Sequence, residues 1–108
     1  MVYLYHPDKE NAIVWHILIP KKILRDLKVL PESISANFWA LIKTIAVLGP
    51  VRGDWPNYSK LKPTIHHCHV QKGRPTYVMV WKVSDSKLKK IEVIYAGTHE
   101  KADYKKLC

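Results

Sequence analysis

Four of the six histidines fall in the second half of the chain, and two of them, His67 and His69, are spaced to act together. Side chains alternate along a strand, so Ile65, His67 and His69 share one face while His66 and Cys68 take the other. That spacing projects two imidazoles side by side, about 7 Å apart. The turn that follows holds Lys72 and Arg74, and a later β-like run ends in Gly97-Thr98-His99-Glu100, shortly before Tyr104. If the intervening strands form a meander, its end returns to within roughly 10 Å of the histidine strand. His67, His69, Arg74, His99 and Tyr104 then converge. Cleavage of an RNA phosphodiester needs such a set. A base takes the 2′-hydroxyl proton, an acid protonates the leaving 5′-oxygen, and a fixed cation stabilises the crowded phosphorane. Imidazole serves in either proton role near neutrality, and arginine clamps a phosphate with two hydrogen bonds.

Each of these residues also has a plainer reading. His67 and His69 suit a solvated strand face, Arg74 suits a hairpin turn, and Glu100 either orients His99, acts as a base or lies on the surface. The run His66-His67-Cys68-His69 invites a metal. Adjacent strand residues point to opposite faces, however, so only His67, His69 and His99 could share an ion, one ligand short of the usual structural tetrahedron. No metal and no other cofactor is expected. His66 and Cys68, on the opposite parity, are expected to pack in the core. Lys87-Leu88-Lys89-Lys90 reads as a solvated face that adds to the positive field.

The elements that must position the set are legible in outline. Val2–Tyr5 suits a short edge strand, followed by a turn over His6–Asn11. Residues 12–19 are apolar on both parities, as a well-buried strand would be. Pro20 stands where a helix favours its first residue, with Ile23, Leu24, Leu27 and Leu30 at helical spacing and Pro31 as the stop. A second helix is predicted from Ser33 or Ser35 to Leu48, with Phe38, Leu41, Ile42, Ile45 and Leu48 on its apolar face and Gly49-Pro50 ending it. Residues 51–63 read as loop, with Trp55 and Tyr58 anchoring it or offering faces for stacking on bases. Strands over 64–70, 76–83 and 90–96 follow, joined as hairpins. Trp15, Trp39 and Trp81 read as core. The order implies one α+β domain over residues 1–108, with two N-terminal helices packed on one face of a curved, mainly antiparallel sheet that ends in a three-stranded meander. The other face is expected to be open, cleft-like and basic.

The chain has 108 residues and a formal net charge of +9. Residues 1–50 carry six basic and four acidic side chains, while residues 51–108 carry twelve and five, so the excess sits with the histidines. Such a field favours a polyanion, and nucleic acid is the commonest one in a cytoplasm. Lys72, Lys82 and Lys101 are the candidate RNA-binding lysines. An apolar fraction of 47% and a charged fraction of 25% exclude a disordered chain. His16 and Lys43 interrupt the apolar runs, so no membrane span is expected. The first residues show no signal-peptide pattern, and Cys68 and Cys108 form no disulfide framework, so the expected location is cytoplasmic.

Trp55-Pro56-Asn57-Tyr58-Ser59-Lys60-Leu61, the hairpin Ile65–Val83 with its Lys-Gly-Arg-Pro-Thr-Tyr turn, and the ending Ile91–Tyr104 with Gly97-Thr98-His99 together resemble the RelE/ParE superfamily. These are the toxins of type II toxin–antitoxin systems, and the ending is most similar to the HigB branch. The resemblance spans residues 12–104. It implies a metal-independent endoribonuclease, an mRNA interferase that cuts mRNA at the ribosome, inhibits translation and is neutralised by a cognate antitoxin in a hetero-oligomer. It also implies a basic pair at His67 and His69, an acid at His99 and a base-stacking aromatic at Tyr104. The family's arginine early in the next strand corresponds to Val78, leaving Arg74 as the phosphate clamp. The superfamily also contains ParE-like toxins that bind DNA gyrase and cut nothing, and an inactive nucleic-acid-binding module is a further alternative.

Overall fold

The computed structural model describes residues 2–4, 14–71, 73 and 75–108. Its sheet starts from a short edge strand, β1 (Val2–Leu4), which pairs antiparallel with β2 (His16–Pro20). β2 is shorter than the apolar run predicted. Val14 and Trp15 lie in a bend and Ala12 and Ile13 fall outside the described residues, as do Tyr5 and the expected turn over residues 6–11. Trp15 is half-buried, with the Lys89 ammonium 4.9 Å from its ring centroid.

Both prolines stand at helix N-caps. Pro20 precedes α1 (Lys21–Lys28) with φ −56°, and Pro31 precedes α2 (Glu32–Leu48) with φ −51°. Proline's ring holds φ near the helical value, and its missing N–H would have lacked an intrahelical partner there. Pro31 therefore opens α2 as well as closing the segment before it. This moves the start of α2 ahead of the serines predicted to cap it. Glu32 in the first turn is favourable to the helix dipole.

The buried face of α2 comprises Ile34, Phe38, Leu41, Ile42, Ile45 and Ala46. Each large side chain there contributes roughly 1.5–3 kcal/mol by leaving water. Leu48 departs from that stripe and is 65% exposed at the last turn of the helix. Gly49 ends α2 at φ +104°, and a Cβ there would stand 3.2 Å from the Trp15 indole nitrogen. Only glycine combines that conformation with that closeness at no cost.

Four further strands complete the sheet: β3 (Ser59–Lys62), β4 (Ile65–Gln71), β5 (Tyr77–Asp85) and β6 (Lys90–Thr98). Their order is β1-β2-β6-β5-β4-β3, antiparallel throughout except for β2 beside β6. The fold is α+β, as expected, with a mixed six-stranded sheet. β3 corrects the loop predicted over residues 51–63. It is a mostly exposed edge strand with two lysines, and such strands resist edge-to-edge pairing without showing an apolar period.

The two faces of the sheet differ. Ile17, Ile19, Cys68, Val70, Tyr77, Met79, Trp81, Ile91 and Val93 pack against Ile23, Leu27 and the α2 stripe. Val78 and Val80, on the opposite parity of β5, also have no exposure. The second face is therefore floored with apolar residues rather than uniformly open and basic. A short 3-10 turn (His99–Lys101) and a single-turn helix, α3 (Tyr104–Leu107), follow β6. Among the described residues no helix is long and apolar enough to cross a membrane.

Candidate active site

The second face of the sheet brings together residues from three segments. Register sets His67 opposite Val80 and His69 opposite Val78, with Tyr95 and Gly97 on the far side of the same two valines. The backbone N–H of His99 donates to Thr76 O at 2.8 Å, which fixes the 3-10 turn against the start of β5. Asp103 then accepts from the Lys106 backbone N–H and starts α3, turning Tyr104 back over the sheet.

The result is a closed circuit of four rings meeting edge to face. His67 lies 6.3 Å from His69, His69 lies 5.6 Å from His99, His99 lies 6.2 Å from Tyr104, and Tyr104 lies 5.7 Å from His67, all between centroids. His67, His69 and Tyr104 are half-buried and His99 is exposed. Three imidazoles and a phenol thus face one another across a few ångströms. The structure brings these four predicted residues together.

Tyr104 has a particular role in this circuit. Its hydroxyl is shielded from solvent and has no hydrogen-bond partner among the described residues. Burial pushes its pKa up, so the phenol stays protonated and offers a hydrogen to an incoming oxygen rather than removing one. A buried donor without a partner costs roughly 1–3 kcal/mol, which a phosphate or base acceptor would relieve.

The other predicted residues fall differently. Lys82 is exposed on the same face of β5, opposite Ile65 and Glu92, and Lys101 is exposed in the turn that carries His99. Lys72 and Arg74 lie outside the described residues. Among the described residues no group of three or more His, Cys, Asp or Glu side chains is arranged to hold a metal ion. Val78, at the position where the resemblance implies an arginine, is fully buried floor beneath the histidines.

The opposite parity of β4 is packed as expected. His66 is 2% exposed and sits in a stack with Tyr58 and Trp81, at 5.9 Å from each. Its Nδ1 meets the Tyr58 hydroxyl at 2.7 Å. Burial, and secondarily the nearby Lys60 charge, lower its pKa to about 4, so the ring is neutral at physiological pH. Burial, with a smaller effect of the Asp54 charge, raises the Cys68 thiol to about 12. Tyr58 and Trp55 thus anchor the loop before β3 to the core, while Trp81 Nε1 donates to Pro50 O at 3.0 Å.

One residue of the site has no counterpart in the sequence reading. Ser59, on β3, pairs with His67 and places both its hydroxyl and its carbonyl against that imidazole. The surrounding Ser-Lys-Leu-Lys has too few apolar residues to announce a strand, so only the pairing with β4 reveals it. No family model, curated protein or solved structure matches this chain.

Proposed function

We propose that this protein is a RelE-like toxin of a type II toxin–antitoxin system, an endoribonuclease that cuts mRNA on the ribosome and so stops translation. The observation that carries this reading is the four-ring circuit of His67, His69, His99 and Tyr104, drawn from two strand-linked segments and a returning helix. Helices packed on one sheet face, with the ring circuit on the other, are consistent with it, as is the charge of +9.

In this reaction a neutral imidazole of the His67–His69 pair takes the proton of the 2′-hydroxyl, whose oxygen attacks the adjacent phosphorus. His99, entering as the imidazolium, gives its proton to the departing 5′-oxygen. The bond from phosphorus to the 5′-oxygen breaks, leaving a 2′,3′-cyclic phosphate and a free 5′-hydroxyl. No metal is required, because proton transfer and fixed positive charge supply the stabilisation. Tyr104 donates a hydrogen bond and offers its ring to a base. Lys82 and Lys101 guide the RNA backbone, and Arg74 with Lys72 clamps the scissile phosphate. The partner in the resting cell is a cognate antitoxin that occludes this site, and the working compartment is the cytoplasm.

Primer extension on mRNA after induction, repeated with purified protein with and without ribosomes, tests the reading. Discrete cuts with cyclic-phosphate ends support it. Arrest of DNA replication without cuts would point instead to a gyrase-binding toxin, and salt-dependent RNA binding without product to an inactive binding module.

A further inference from the structure

The contact between β3 and His67 carries more than alignment. Nδ1 of His67 lies 3.1 Å from Ser59 Oγ and 3.3 Å from the Ser59 carbonyl oxygen. A carbonyl has no hydrogen to give, so the second contact is a hydrogen bond only when Nδ1 bears one. With hydrogen on Nδ1, both oxygens accept from it in a three-centre bond. With hydrogen on Nε2, the serine hydroxyl could donate, but the carbonyl lone pairs would face the ring's lone pair. The carbonyl therefore selects the Nδ1–H tautomer, and the hydroxyl accepts alongside it. This leaves the lone pair on Nε2, the ring nitrogen directed away from β3, in the ring whose neighbours are His69 and Tyr104. The same two oxygens hold Nδ1–H more strongly once Nε2 takes up a proton, since a charged donor strengthens both bonds.

We infer that Ser59 is a positioning residue that makes His67, rather than His69, the general base of the site. The inference rests on the RNA-cleavage reading. It divides the circuit by role: His67 receives the 2′-hydroxyl proton at Nε2, His99 protonates the 5′-oxygen, and His69 stands between the two imidazoles. It also gives the polar edge strand a purpose, because a solvent-facing β3 delivers both acceptors without entering the pocket.

The test combines a structural and a kinetic readout on the whole protein. Long-range proton–nitrogen correlation spectra of nitrogen-15-labelled protein at pH 7.5 report the His67 tautomer. Cleavage of mRNA on programmed ribosomes is measured for wild type, Ser59→Ala and Ser59→Thr. Wild type is expected to show Nδ1–H on His67. Ser59→Ala is expected to lose about fivefold in kcat, the worth of one neutral hydrogen bond, with KM unchanged. Its His67 should keep Nδ1–H, because the backbone carbonyl that excludes the other tautomer remains. Ser59→Thr, which keeps the hydroxyl, restores kcat. An active wild type with Nε2–H on His67, or a Ser59→Ala variant with undiminished kcat, overturns the inference alone. A wild type that cuts no RNA overturns the cleavage reading, and the role of Ser59 in it, whatever the tautomer.

Discussion

Acid should destabilise this protein in part through His66. The ring is 2% exposed between Tyr58 and Trp81, and its pKa falls from 6.5 to about 4. The folded protein therefore holds a neutral imidazole, whereas the unfolded chain takes up a proton near pH 6.5. Stability is complete above that value, declines as pH drops towards 4, and stops declining on this account below it. Linkage over pH 7.5 to 4.5 gives a loss of roughly 2–3 kcal/mol from this one side chain. Urea denaturation followed by tryptophan fluorescence, at both pH values, measures it. His66→Phe keeps an aromatic ring in the stack but cannot titrate, and every other acid-sensitive group is shared by the two proteins. Wild type should thus lose roughly 2–3 kcal/mol more than the variant on acidification. Equal losses would refute the assignment of a buried, neutral His66. The site would feel the same titration, because the loop held by this stack includes Pro56, whose carbonyl accepts from the His69 backbone N–H at 2.8 Å.

Three more outcomes follow from the coordinates. His67→Ala and His99→Ala should each slow mRNA cleavage by about 10²–10⁴-fold while far-ultraviolet circular dichroism stays unchanged. Iodoacetamide at pH 7.5 should modify the exposed Cys108 and leave Cys68 untouched until denaturant is added, since Cys68 is buried with its thiol pushed up to about 12; peptide mass mapping distinguishes them. Gly97→Ala would bring a Cβ to 2.9 Å from the Tyr95 hydroxyl, which donates to Thr98 O at 2.6 Å. Loss of that bond should cost about 1 kcal/mol, read as a Tm lower by roughly 4–8 °C.

Local periodicity carried much of the architecture. The 3.6-residue spacing of Phe38, Leu41, Ile42 and Ile45 marked the buried face of α2, and alternation along 65–70 separated His67 and His69 from His66 and Cys68, as the two faces of β4 do. What stayed hidden depends on partners distant in the chain. β3 is visible only through its pairing with β4, and nothing local marks β2 as the parallel neighbour of β6. Leu48 fits the helical stripe yet is exposed, because burial depends on what packs against the last turn, which periodicity does not encode. The burial of Val78 and Val80 on the second face likewise comes from tertiary packing. For the site, residue types and strand parity located His67 and His69, whereas the meeting with Tyr104 required the turn at Asp103.

The parallel pairing of β2 with β6 bears on the order of synthesis. The strand that joins the N-terminal hairpin to the rest of the sheet is the latest of the six to be translated. Until it leaves the ribosome, β2 has no neighbour on its inner side, and the long-range contact that unites the sheet cannot form. His99 and Tyr104 emerge later still. A nascent chain therefore carries His67 and His69 on an unfinished scaffold, and the four-ring circuit exists only once translation has passed its last strand.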